Sequence, residues 1–142
     1  MDLVQLIYVS RLSPDCDAES LKKILDSSRK NNRKLGITGI LCRDKRFFLQ
    51  CLEGSRAAVN HLYATIIADK RHSDVIILCY REIVRREFGA WSMAFVSAKK
   101  VDKVLTLQYS STPELDPYAM PGQASHDFLV DLANSWKGDL EA

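Results

Sequence analysis

Across the first 97 positions, apolar spacing alternates between the two-residue period of a strand and the roughly 3.6-residue period of a helix. That alternation leaves few folds open. Leu3 to Ser10 reads as a strand, broken by Ser13-Pro14-Asp15. Asp17 fits an N-cap, and Ala18 to about Asn32 reads as a helix with Leu21, Ile24 and Leu25 as its apolar stripe. Gly36 opens a second strand that runs through Cys42. Arg43 to Arg46 is a polar turn, and Phe47 to Glu53 is a third strand. Ser55 caps a second helix that runs to about Asp69. Val75 to Ile83 is a fourth strand and Ser92 to Ser97 a fifth.

The order β-α-β-β-α-β-β contains the split-βαβ, ferredoxin-like unit. It predicts an α+β sandwich in which two helices cover one face of a five-stranded sheet, with the first and third strands central. Val75-Ile76-Ile77-Leu78 is apolar on both faces, so the second face also needs a cover. The chain beyond residue 97 supplies one. Val101 to Tyr109 and Gln123 to Trp136 read as helices separated by Pro113, Pro117 and Pro121. The expected organisation is therefore a body over residues 1–97 and a C-terminal helical extension over 98–142, acting as a cap or an oligomer contact.

At 142 residues, one domain can bury about 70% of its unfolded surface. A net charge of +2 is too small to mark a dedicated nucleic-acid binder. No apolar run approaches the roughly 20 residues of a membrane span, and Met1-Asp2-Leu3-Val4-Gln5 lacks the basic start of a signal peptide. The expectation is a soluble, cytoplasmic protein. Cys16, Cys42, Cys51 and Cys79 show no C-x-x-C spacing and read as free thiols packed as small hydrophobes. His61, His72 and His126 do not pair at helical spacing, so no metal site is expected.

The informative anomaly is polar. Ser28, Asn31 and Asn32 continue the helix face that Leu21, Ile24 and Leu25 bury. Gln50 shares a strand face with Phe48 and Leu52, and Tyr8 shares one with Val4 and Leu6. If these faces meet, three amides, a hydroxyl and a phenol converge between the helices and the sheet. Each buried group without a partner costs about 1–3 kcal/mol. A flat ligand rich in donors and acceptors, such as an isoalloxazine ring, would resolve the conflict. Plainer readings stand beside this one. Asn31-Asn32 suits a frayed helix end, Ser28 can bond back to a carbonyl one turn earlier, and Gln50 and Tyr8 suit a satisfied core. His72 beside Lys70 and Arg71 suits either a phosphate contact or a solvated helix end.

At these residues the sequence resembles the BLUF family of blue-light sensors that use FAD. The runs that carry the resemblance are Leu6-Ile7-Tyr8-Val9-Ser10, Ser28-Arg29-Lys30-Asn31-Asn32, Gly36-Ile37-Thr38-Gly39-Ile40-Leu41, Phe48-Leu49-Gln50-Cys51-Leu52-Glu53-Gly54, Asp69-Lys70-Arg71-His72 and Trp91-Ser92-Met93. Leu105-x-Leu107-x-Tyr109-Ser110 before a last helix is similar to short, single-domain members of the PixD type.

The resemblance implies FAD, with FMN or riboflavin as other flavins the site would take, held between the two helices. Asn31 and Asn32 would bond the polar edge of the ring, Ser28 would line the pocket, and Ile24 and Ile66 would flank the ring. Gln50 would sit between Tyr8 and the flavin. Asp69, Arg71 and His72 would lie towards the phosphate side, where Thr65 replaces a residue that is basic in some members. In the implied photocycle Tyr8 gives an electron and a proton to the photoexcited flavin. Gln50 then ends in a rearranged hydrogen-bond state, by rotation or tautomerisation, and the absorption shifts to the red. Trp91 and Met93, expected on one face of the fifth strand, would relay the change to the C-terminal helices. The resemblance also implies a photoreceptor rather than an enzyme. It implies a homo-oligomer, of the stacked pentameric kind that some short members form, and signalling, for instance in phototaxis, through a separate response-regulator-like protein.

Other readings of this strand order are an acylphosphatase-like or flavin-dependent enzyme and an RNA-binding module. The phosphate-cradling loop is missing at Ser10 to Cys16, and Phe47 and Phe48 are consecutive, so they face opposite sides.

Overall fold

A computed structural model of the chain describes residues 2–135. Trp136, the expected end of the last helix, lies outside the described residues. The elements are β1 (Leu3–Leu12), α1 (Ala18–Leu35), β2 (Thr38–Arg43), β3 (Phe48–Ser55), α2 (Arg56–Ala68), β4 (His72–Glu82), β5 (Ala94–Ser97), α3 (Lys103–Tyr109) and α4 (Gly122–Ser135). They form one mixed sheet in the order β4-β1-β3-β2-β5, antiparallel except for the parallel β2–β5 pair. The first and third strands are neighbours in its middle, and α1 and α2 lie over one face, which is the ferredoxin-like α+β arrangement with an added fifth strand and a C-terminal helix. None of the described helices is long and apolar enough to cross a membrane.

Local chemistry sets the helix ends. Asp17 accepts from the Ser20 amide at the start of α1, and Ser55 accepts from the Ala58 amide at the start of α2. Gly36 does not open a strand. It closes α1 in the left-handed conformation, φ 67°, and its amide bonds the Asn32 carbonyl. Helix α1 therefore runs a full turn past Asn31 and Asn32. Both amides sit inside the helix, and the frayed-end reading is excluded.

Strand alternation sorts the core into two layers. Val4, Leu6, Tyr8, Leu41, Phe48 and Leu52 face α1 and α2. Ile7, Val9, Ile40, Cys42, Leu49 and Cys51 face the other way and are covered by Leu115, Met120, Phe128, Leu129 and Leu132. The C-terminal segment is thus packed on the second face of the sheet. Cys42 and Cys51 are fully buried free thiols within that layer. Helix α4 starts tight against β4, since a Cβ on Gly122 would lie 2.1 Å from the Leu78 carbonyl oxygen.

Two strands depart from expectation. β4 is an edge strand, so Ile76 and Ile77 remain 48% and 46% exposed rather than buried on both faces. Its register against β1 also shifts between Ile7 and Tyr8 and between Val9 and Arg11. β5 starts at Ala94 rather than Ser92, leaving Ser92 and Met93 in a bend.

One end of the second face is polar. The fully buried Glu53 carboxylate accepts from Gln5 Nε2 (2.9 Å), Thr38 Oγ1 (3.2 Å) and the backbone amides of Glu87 and Phe88 (2.9 Å each). Glu87 Oε1 accepts from Gln5 Nε2 and Arg81 Nη2 and lies 2.6 Å from Nε2 of His126 on α4. The sequence pattern carried no sign of this network.

Candidate functional site

Between α1, α2 and the sheet lies a cavity of about 400 Å³, within the range of small-molecule sites. One wall comes from α1. Ile24, Ser28 and Asn31 follow the three- and four-residue steps that keep side chains on one helix face, with Asn32 beside them. The opposite wall is Leu62, Thr65 and Ile66 of α2, and the α2–β4 connection adds Asp69, Arg71 and His72. Tyr8, Phe48 and Gln50 form the floor from the two central strands.

The floor follows from register. Tyr8 and Gln50 are Cα partners across the β1–β3 ladder, so their side chains stand together on one face. Tyr8 Oη donates to Gln50 Oε1 over 2.5 Å, and Gln50 Nε2 donates to Met93 Sδ over 3.3 Å. Burial pushes the Tyr8 phenol well above its ordinary pKa, with Tyr63 and Asp69 adding to the effect, so the hydroxyl keeps its proton.

The rim is charged differently. Arg71 Nε and Nη2 grip the Asp69 carboxylate at 3.0 and 2.6 Å, and this bonding holds the acid down to a pKa of about 2. Burial lowers the His72 pKa. Its Nδ1 lies 2.9 Å from Ser10 Oγ, and its ring meets Phe48 edge to face at 5.2 Å.

Every residue expected to hold a ligand lines this one cavity: Ile24, Ser28, Asn31, Asn32, Gln50, Ile66, Asp69, Arg71 and His72, with Tyr8 beside Gln50. Among the described residues, the side chains of Ser28 and Asn31 have no hydrogen-bond partner, so Ser28 is not bonded back along the helix. Asn32 Nδ2 donates to the Ser92 carbonyl over 2.8 Å. Lys23 and Ser27 also line the cavity and were missed. Their four-residue steps to Asn31 were the available signal. Arg29 was missed as well. It is buried, and its Nε donates to the Met93 carbonyl over 3.0 Å.

Trp91 and Met93 do not share a face. Met93 packs in the helix-side layer against Gln50, whereas Trp91 packs against the layer under the C-terminal segment. The two-residue alternation behind that expectation holds only inside a strand. Residues 92 and 93 form a bend whose carbonyls are taken by α1 side chains.

The family described as "BLUF: Sensors of blue-light using FAD" matches residues 3–94. The chain is 31% identical over 94 residues to the photoactivated adenylate cyclase subunit beta of Euglena longa, covering 65% of this chain and 11% of that protein. It thus spans about a tenth of the length of that curated relative. Two solved structures resemble it over almost their whole length. "BlsA photo-activated state" superposes with a TM-score of 0.87 at 27% identity, covering 99% of both chains. "BlrB - a BLUF protein, dark state structure" gives 0.81 at 32% identity, covering 95% of this chain and 98% of that one.

Proposed function

The chain belongs to the BLUF family of flavin-based blue-light sensors, and from that membership we propose that it is a photoreceptor binding FAD non-covalently in the cavity between α1 and α2. It is a sensor rather than an enzyme, as the family description has it. The observation that carries the reading is the Tyr8 Oη to Gln50 Oε1 hydrogen bond on the cavity floor, in contact with the Met93 sulfur.

The residues suit a flavin. Ile24 and Ile66 offer apolar surface from opposite helices to a flat ring. Asn31, Asn32 and Ser28 offer amide and hydroxyl groups to its polar edge, and the free side chains of Ser28 and Asn31 are available for that role. Lys23, Arg71 and His72 would face the phosphates. FAD is the flavin the family description names; FMN and riboflavin share the ring and would occupy the same walls.

Bound flavin supplies the blue-light absorption and the electron acceptor. The protein's part is to hold a neutral phenol, an amide and a thioether in line. Tyr8 is the electron and proton source, with its Oη–H already donating a hydrogen bond to Gln50 Oε1. The Gln50 amide has a second hydrogen-bonding state: rotation turns its nitrogen donor to Tyr8, whereas tautomerisation leaves the atoms in place and makes the oxygen facing Tyr8 a hydroxyl donor. After rotation its oxygen side meets Met93 Sδ, and the bond seen there is lost. Met93 would pass the change along the bend at 92–93 to Trp91, which packs against the C-terminal layer. Residues 1–97 would be the sensor and 98–142 the output and oligomerisation segment, acting on a separate response-regulator-like protein in the cytoplasm.

The test is direct. Purified protein should be yellow, and blue light without reductant should give a reversible red shift of the flavin absorption. A colourless protein that takes up no added flavin sinks the reading. A yellow protein without the reversible shift favours a flavin enzyme. Size-exclusion chromatography with light scattering, in dark and light, tests the homo-oligomer.

A further inference from the structure

Ser92 and Met93 lie at the open end of the edge strand β5, just outside its ladder with β2, which begins at Ala94. Two side chains of α1, three residues apart on one face, take over there. Asn32 Nδ2 holds the Ser92 carbonyl at 2.8 Å, and Arg29 Nε holds the Met93 carbonyl at 3.0 Å. Arg29 is only 6% exposed. Burying a guanidinium carries a large desolvation cost, and here a backbone carbonyl 64 positions away is among its acceptors. Arg29 does not line the flavin cavity.

The held segment carries the atom that tells the two Gln50 orientations apart. A tyrosine hydroxyl can donate or accept, so Tyr8 satisfies either end of the amide. A thioether sulfur only accepts. Met93 Sδ therefore favours the arrangement with Gln50 Nε2 turned towards it, which is the one observed. That preference holds only while the sulfur stays in place. Met93 lies in a bend, so the sheet ladder does not fix its backbone.

We propose that Arg29 is a positioning residue for the photocycle: by anchoring the Met93 carbonyl it places the sulfur against Gln50, and so sets how fast the light-induced Gln50 arrangement returns to the dark one. The proposal rests on the photoreceptor reading above. Without Arg29 the returning amide finds its acceptor displaced, and recovery slows.

Thermal recovery of the red-shifted state is timed in the parent, Arg29→Gln, Arg29→Lys, Met93→Leu and each Arg29 variant combined with Met93→Leu. Flavin affinity is measured alongside. Arg29→Gln should slow recovery about three- to tenfold, the worth of one net hydrogen bond. Arg29→Lys keeps a donor and should slow it less. Affinity for the flavin should stay within about twofold, since Arg29 does not line the cavity and its loss leaves the ligand contacts intact. In the Met93→Leu background the Arg29 effect should vanish, because the sulfur through which it acts is gone. A merely structural role would slow recovery equally in both backgrounds, and that result overturns the proposal. So does recovery within twofold of the parent in both single variants, or a loss of flavin affinity in step with the rate. If Arg29→Gln does not fold, the Arg29→Lys comparison in the two backgrounds decides. A parent without a reversible red shift removes the photoreceptor reading itself, a failure distinct from a cycling parent with unaffected Arg29 variants.

Discussion

Tyr8 and Gln50 face each other across the two central strands, and the Tyr8 hydroxyl donates to Gln50 Oε1 over 2.5 Å at the floor of the cavity. Both residues belong to the ladder between the two central strands, and neither depends on a loop.

Replacing Tyr8 with Phe removes the donor and leaves the ring in the core. Flavin should still bind, the fold should lose about 1 kcal/mol from the missing hydrogen bond, and the reversible red-shifted state should disappear. Transient absorption after a blue flash decides. A normal red-shifted product in the variant would show that Tyr8 is not the electron donor.

Asn32→Ala removes one polar partner of the ligand and the anchor of the Ser92 carbonyl together. FAD affinity should fall by about tenfold or more, equivalent to roughly 1–3 kcal/mol for a buried group left without a partner. Titration of apo-protein with FAD measures it. An unchanged dissociation constant, accompanied by lower thermal stability, would confine Asn32 to the Ser92 anchor.

On the far face, Glu53 gathers four donors from β1, β2 and the segment after β4. In Glu53→Gln one acceptor oxygen becomes an NH₂ that points at donors. The expected loss is about 3 kcal/mol, in the range for breaking a buried charged network. Urea unfolding with the flavin absorbance and far-UV signal followed together is the measurement. A change under 1 kcal/mol would mean that solvent reaches the network.

Acid stability should report on the rim. Arg71 holds the Asp69 carboxyl down to about 2, below its ordinary 3.8. A folded-state pKa that is depressed stabilises the fold fully above the unfolded value, and the contribution fades as pH falls from about 3.8 to about 2. Asp69→Asn should lose that increment. Parent and variant should therefore differ most above pH 4 and converge near pH 2 in unfolding experiments at graded pH. Parallel curves throughout would assign the difference to packing rather than charge.

Much of the cavity was legible in the chain because its signals are local. Ile24, Ser28, Asn31 and Asn32 sit on one turn-by-turn stripe, Gln50 interrupts an apolar strand face, and Asp17 and Ser55 cap their helices from within three residues. Gly36 reads from the sequence as the opening of the second strand, because a glycine between a polar helix end and an apolar run suits either role until its positive φ is seen. Ile76 and Ile77 were expected to be buried because apolar character says nothing of whether a strand ends up inside a sheet or at its edge.

The element order, the helix caps and the row of polar residues on an apolar helix face were determined by the sequence alone, since the 3.6- and two-residue periods act between near neighbours. Tertiary structure decided the rest. It put Trp91 and Met93 on opposite sides of a bend, gave the carbonyls of Ser92 and Met93 to Asn32 and Arg29, and joined Gln5, Glu53, Glu87 and His126 under α4. These contacts link positions 39 to 82 residues apart. A hydrogen bond of that span depends on which backbones the fold brings together, and no local periodicity encodes it.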